Sequence, residues 1–197
     1  MYSFNSKTIG MGKLIAFNFM TLNGCFKGPG GDISWHKDND PEKNAYAMEG
    51  LRSGGTLVFG RVTYDMMASF WPSPEAMQFA PDMAAGMNKA DKIVFSRTMN
   101  KAGWSNTRLV KEDMAGEIRR LKRQPGKDMA IMGSGSIITQ LAEQGLIDEF
   151  QLMIDPVVIN GGTPVFPGIS RHLQLELTQV KTFKSGVVLL CYRPANK

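Results

Sequence analysis

The chain has 197 residues, enough for one domain with a substantial core. Hydrophobic residues make up 43% and charged residues 21%, the balance of a soluble globular protein. No run approaches the roughly 20 apolar residues of a membrane span. The formal net charge of +5 favours anionic partners only weakly, because the basic residues are scattered apart from "RRLKR" at 119–123. That cluster has no interleaved aromatic residues and reads as the solvated face of a helix, not as a nucleic-acid surface.

The first ten residues lack an apolar h-region and read as a loose tail, followed by a single domain over 11–197. "KLIAFNF" (13–19) is an expected strand and "PEKNAYAMEGLRS" (41–53) an expected helix with Pro41 in its first turn. "TLVFG" (56–60) predicts a strand, "VTYDMMASF" (62–70) a short helix and "KIVFS" (92–96) a further strand. In 113–124, Met114, Ile118 and Leu121 share one helical face. "DMAIM" (128–132) predicts a strand, followed by a helix over about 136–144 that Gly145 stops in a left-handed cap. A longer strand is expected over 148–158. The segment 172–193 reads as two antiparallel strands turning at Ser185-Gly186, with a bulge where the apolar phase slips between Leu177 and Val180. Strands alternating with helices and closed by a hairpin predict a mostly parallel α/β sheet with antiparallel edge strands.

Such sheets bind ligands at the carboxyl ends of their strands. Three of those ends carry distinctive residues. Gly60, Arg61 and Thr63 follow one strand, Ser96, Arg97 and Thr98 another, and Gly133, Ser134, Gly135 and Ser136 a third. The last group opens a helix, where free N–H groups and the helix dipole favour an anion. It lacks the full Gly-x-Gly-x-x-Gly spacing and the Lys of a Walker loop. Two arginines on the same sheet edge are suited to phosphate. Together the three ends describe a ligand with separated phosphates, as in a dinucleotide carrying a 2′-phosphate. Cys25 and Cys191 stand far apart without a neighbouring metal-binding pattern, which excludes a disulfide framework or zinc site and makes the cytoplasm the default compartment.

In order and spacing, "TLNGCF", "GRVTYD", "FSRT", "GSGSIITQLAEQGLIDEF" and "PVVINGGTPVF" resemble the dihydrofolate-reductase-like superfamily, and more nearly the reductase domain of riboflavin biosynthesis. The resemblance covers about 13–193. It implies a three-layer dihydrofolate-reductase-like fold, NADPH or NADP as cofactor, and reduction of a small heterocyclic or sugar-linked substrate. By that resemblance Gly60, Arg61 and Thr63 hold cofactor phosphates, and Ser96, Arg97 and Thr98 embrace the adenosine end. Gly133, Ser134, Gly135 and Ser136 cradle the diphosphate. Leu22, Asn23 and Gly24 then lie over the nicotinamide, with Ala16 beneath it.

Asn23 replaces the usual Asp of the first-strand loop, and Met132 stands where riboflavin-pathway members carry an acidic residue. Asn23 and Asp32 are the candidate catalytic residues, although Asp32 also suits a loop cap. Trp35 and Tyr46 are candidates for the substrate side, with Trp71 nearby. His36 reads as a solvated loop residue, and the many methionines as core fillers. Glu42 and Glu49 are the carboxylates of the first helix. The final hairpin exposes an apolar strand face, so a homodimer is expected, with no nucleic-acid or membrane partner. A non-catalytic NADP(H)-binding module is the competing expectation.

Overall fold

The computed structural model describes residues 12–37, 40–52 and 54–195. The expected tail over 1–10, and Met11, lie outside them. Eight strands form one sheet: β1 (Leu14–Thr21), β3 (Thr56–Gly60), β4 (Lys92–Phe95), β5 (Thr107–Val110), β6 (Met129–Met132), β7 (Glu149–Asp155), β9 (Leu175–Thr182) and β10 (Val188–Pro194). Their spatial order is β5-β4-β3-β6-β1-β7-β10-β9. All pairs from β5 to β7 are parallel, whereas β10 runs antiparallel to both β7 and β9. A small ribbon of β2 (Cys25–Lys27) and β8 (Thr163–Pro164) sits beside it.

Period-two alternation sorts each parallel strand between two helical layers. Val58 packs with Ile118 of α5 (Met114–Lys122) and Ile138 and Leu141 of α6 (Gly135–Glu143). Its neighbours Leu57 and Phe59 turn to the other face, against Tyr64 of α2 (Arg61–Phe70) and Met87 of α4 (Pro81–Lys89). On that same face α1 (Pro41–Arg52) brings Tyr46 and Ala47 to the cluster around Phe17, Met153 and Phe183. The result is the expected three-layer architecture.

Several local expectations hold. Met114 and Leu121 pack beside Ile118. Gly145 takes φ 65° and Leu146 N–H returns to Leu141 O, so α6 ends as a left-handed cap predicts. In the hairpin Gly186 has φ 84°, and the register slips by one residue at Thr178, within the expected bulge. Helix α3 (Pro74–Phe79), α4, the edge strand β5 and the β2–β8 ribbon were not anticipated. Pro74 and Pro81 open helices at the first position, where the missing N–H costs no bond. Core filling by methionine is only partly correct: Met87 is buried, but Met66 and Met77 on α2 and α3 are exposed, because each lies on the outer face of its helix.

The direction of the crossovers positions the cleft. From β1 the chain moves through α1 toward β3; from β6 it moves through α6 to β7, on the opposite face and in the opposite direction. Strands β1 and β6 are neighbours, so the topological switch lies between their carboxyl ends.

Asp40 fixes the layer over that switch. Its Oδ1 accepts the N–H groups of Glu42 and Lys43 at the start of α1, and its Oδ2 accepts Ser185 N–H in the β9–β10 turn at 2.8 Å. The Ser185 bond leads in holding this carboxyl at about 2, below its ordinary 3.8. A depressed folded-state value means the tether is complete above about pH 4 and is lost as pH falls toward 2. Asp40→Asn is therefore expected to unfold at lower temperature near neutrality. The gap to wild type should narrow between pH 4 and pH 2 in calorimetric melts.

Candidate functional site

The carboxyl edge of the parallel strands is assembled from locked helix starts. After β6 the chain turns at Gly133, with φ 58°, and Ser134 caps α6. Ser134 Oγ accepts Gly60 N–H at 2.9 Å and donates to Met132 O at 3.1 Å. Thr63 Oγ1, in the first turn of α2, donates to Gly133 O at 2.9 Å. Both hydroxyls are buried. They bind the starts of α2 and α6 to each other, so it is the first-turn N–H groups of these helices that remain for an anion.

The glycines have protein-packing reasons. A Cβ at Gly135 would lie 3.0 Å from Phe26 Cε1, Pro167 Cδ and Val165 O; one at Gly60 would lie 3.1 Å from Ile137 Cγ1. Ser136 at the rim is exposed. Arg61 is exposed and pairs loosely with Asp65 at 3.4 Å, a surface contact of small energy. After β4, Ser96 Oγ accepts the N–H groups of Thr98 and Met99, which sets a tight turn. Arg97 projects from that turn, exposed, and forms no ion pair among the described residues. The structure thus brings the Arg61, Arg97 and Gly133–Ser136 groups to one edge.

The loop after β1 is pinned to the loop after β7. Asn23 Oδ1 accepts Thr21 Oγ1–H at 2.8 Å, and its Nδ2 donates to Ile159 O at 2.9 Å. Gly24 takes φ 84°, and Leu22 is exposed above the edge while its N–H reaches Val157 O. Asp32 is exposed and caps Ser34 N–H at 2.8 Å, which lowers its carboxyl below the ordinary value. Ala16 is fully buried, with its side chain on the face of β1 that packs against the α5–α6 layer.

On the α1 face the polar groups differ from expectation. His36 is not solvated: its Nδ1 lies 3.1 Å from Asp155 Oδ2, its ring centroid is 4.0 Å from that of Phe19, and Lys43 Nζ is 3.5 Å from Nε2. Asp155 ends β7 opposite Thr21 of β1, and both Asp155 and Lys43 are buried. Lys43 also donates to Lys37 O. A cavity of about 220 Å³ lies under α1 against Phe17, Met132 and Gln151, with Tyr46 and Glu49 on its helical wall. Burial first, then the neighbouring Cys191, pushes the Tyr46 phenol above its ordinary value. Trp71 lies elsewhere, packed with the α2–α4 cluster.

Among the described residues four buried side-chain atoms have no hydrogen-bond partner: Asn18 Nδ2, Trp35 Nε1, Thr139 Oγ1 and Ser185 Oγ. Sequence reasoning missed Asn18, Lys43 and Asp155. The signal for Asn18 was present, as an amide within an otherwise apolar strand. The His36–Asp155 contact spans 119 residues and had no local signal.

A family model described as the RibD C-terminal domain matches residues 12–189. The chain belongs to this family. It is 31% identical over 173 residues to the uncharacterized protein YyaP of Bacillus subtilis, covering 88% of this chain and 90% of that one. A Shewanella sp. PV-4 protein named for riboflavin biosynthesis superposes with a TM-score of 0.74 at 22% identity, over 93% of this chain and 99% of that one. Dihydrofolate reductase of Enterococcus faecalis, solved with NADP(H), superposes with a TM-score of 0.65 at 17% identity, over 95% and 99%. The fold is therefore that of the dihydrofolate-reductase-like proteins. No described helix is long and apolar enough to cross a membrane, and no group of metal-ligating side chains occurs among the described residues.

Removing the Ser134 hydroxyl tests the lock between helices. Ser134→Ala leaves Gly60 N–H without its acceptor and is expected to cost about 1–3 kcal/mol in urea unfolding. Ser136→Ala, at the exposed rim, is expected to change stability by less than about 0.5 kcal/mol.

Proposed function

We propose that the protein is an NADPH-dependent reductase acting on a small heterocyclic or sugar-linked substrate. One observation carries this reading: the anion-suited groups follow the sheet edge in the order of a dinucleotide. Arg97 stands after β4, Arg61 with the α2 start after β3, and the α6 start after β6, on adjacent parallel strands. The unpaired Arg97 suits a 2′-phosphate, with Ser96 and Thr98 forming its turn. Arg61 and the N–H groups at the starts of α2 and α6 suit the diphosphate. The bound NADP(H) of the Enterococcus faecalis enzyme, and the reductase names of other similar folds, support the same cofactor.

When bound, NADPH supplies the hydride, so the chain's own task is binding, exclusion of water and proton supply. The Leu22–Gly24 loop, held by Asn23 and Thr21, is fixed above the edge and covers the cofactor's reactive end. The α1 face at the carboxyl ends of β1 and β7, where Phe19 and His36 lie, is the substrate side. His36, oriented by Asp155 and backed by Lys43, holds the proton that the acceptor takes up. Trp35 flanks the same imidazole. The exposed Leu177 and Val180 on edge strand β9 support pairing of two copies.

A second reading, an NADP(H)-binding module without catalysis, draws on one observation. Asn23 engages its amide with Thr21 and with Ile159 O of the loop after β7, and Asp32 engages its carboxylate with Ser34 N–H, so both candidate catalytic groups are satisfied within the protein. The two readings separate in a single experiment, because only the reductase consumes NADPH when an acceptor is supplied.

Millimolar NADPH at micromolar affinity is expected to stabilise the fold by about 4 kcal/mol in thermal-shift titration. Arg97→Ala should weaken NADPH by about tenfold or more while leaving NADH affinity unchanged. Absence of any shift with NADPH would remove the proposal. On an acceptor that the wild type reduces, His36→Ala should lower turnover by about 100-fold or more at unchanged NADPH affinity. An equal loss of affinity would instead give His36 a binding role.

A further inference from the structure

The switch between β1 and β6 contains a buried amide that neither the packing nor the proposed phosphate contacts account for. Asn18 is 2% exposed and belongs to β1, where its neighbours Ala16 and Phe17 are apolar core residues. Its Oδ1 accepts Gly133 N–H at 2.8 Å. That bond fixes the amide orientation, because only the oxygen can accept from a backbone N–H. Nδ2 is therefore the remaining donor, buried and without a partner in the protein. An unpaired buried amide donor is unfavourable, and an apolar side chain would fill the place without that penalty. Such a residue marks a position where an acceptor arrives from outside the chain.

Its place on the edge says which acceptor. β1 pairs with β6 only as far as Phe17↔Met132, and beyond that point Asn18 alone bridges the two chains. Counting from Arg97 after β4, the edge passes β3 and β6 before reaching β1, three strand spacings or about 14 Å. The groups suited to phosphate end at the start of α6, one strand earlier. Arg61 and Arg97 follow β3 and β4, and none of the other strand-end groups assigned to phosphate lies on β1. A buried neutral donor without a neighbouring cation matches a neutral carbonyl oxygen better than an anion.

We infer that the Asn18 side chain binds the nicotinamide end of the dinucleotide, donating from Nδ2 to the carboxamide oxygen. This rests on the reductase reading. Asn18 holds the Gly133 turn with one amide atom and the cofactor ring with the other, so ring placement is coupled to the start of α6.

Calorimetric titration of the full chain with two ligands tests it: NADPH, and 2′-phospho-ADP-ribose, which is the same dinucleotide without the nicotinamide. Asn18→Ala removes the whole amide. Asn18→Asp keeps the acceptor for Gly133 N–H and the side-chain shape, and replaces only the donor. Asn18→Asp is expected to bind NADPH about tenfold more weakly than wild type, with affinity for the truncated ligand within about twofold, whereas Asn18→Ala, which also frees Gly133 N–H, is expected to weaken both ligands. An equal loss for both ligands in Asn18→Asp would overturn the inference and leave Asn18 as a support of the turn. Unchanged NADPH affinity would also overturn it, with a buried water satisfying Nδ2. Failure of the wild type to bind either ligand would instead remove the reductase reading on which the inference stands.

Discussion

The site depends on one constraint, the parting of β1 and β6 at Gly133. Two parallel neighbours whose chains leave toward opposite faces cannot stay paired past the switch point. Here β6 ends at Met132, whereas β1 runs on to Thr21 beside β7. The departure requires φ 58°, and it is this conformation that favours glycine, since a Cβ there would meet Thr63 Cγ2 at an ordinary 3.4 Å. Everything placed at the edge follows from this turn. It starts α6, presents Gly133 O to Thr63 and Gly133 N–H to Asn18, and sets Ser134 against Gly60. The cleft is thus a gap in a sheet whose walls are cross-linked above and below.

That cross-linking changes how the small-residue turn should be understood. Glycines before a helix are usually taken to admit a phosphate, but at Gly135 the missing Cβ admits Phe26 and the β8 region instead. The β2–β8 ribbon therefore seats directly on the start of α6. What faces outward is backbone N–H, which a side-chain substitution cannot delete. Charge complements it unequally. Arg61 leans on Asp65, whereas Arg97 has no carboxylate to leave before meeting an anion, so it gains more from one.

The edge of the fold was legible in the sequence because each piece there is local. Gly60-Arg61, Ser96-Arg97 and Gly133–Ser136 each follow directly from an apolar strand, and a parallel sheet places all such ends together. The same holds for Gly145 and Ser185-Gly186, where one glycine decides a turn. Besides α3 and α4, three short strands were not legible. β5 has four residues and gains its place only by pairing with β4, while β2 and β8 bond across more than a hundred residues. His36 shows the same limit. Its neighbours Trp35 and Lys37 say loop, and nothing before Asp155 says that a buried carboxylate waits at the end of β7.

The two sides of the cleft are therefore built from different materials. The proposed phosphate side is built from backbone geometry, in a fold shared by structures of only 22% and 17% identity. On the α1 side the polar groups are side chains: His36, Asp155 and Lys43 hold one another, whereas Tyr46 stands apart against Phe183. Buried ionisable groups cost stability unless they are mutually satisfied, so replacing any one of them unbalances the rest. Asn18 is the exception that joins the two sides. It belongs to the backbone-built wall yet contributes a side-chain donor, and its strand also carries Phe19, the aromatic floor under His36. A shift of β1 would therefore move the Asn18 amide and the His36 imidazole together, and on the proposed reading this ties the cofactor side and the proton side of the reaction to one strand.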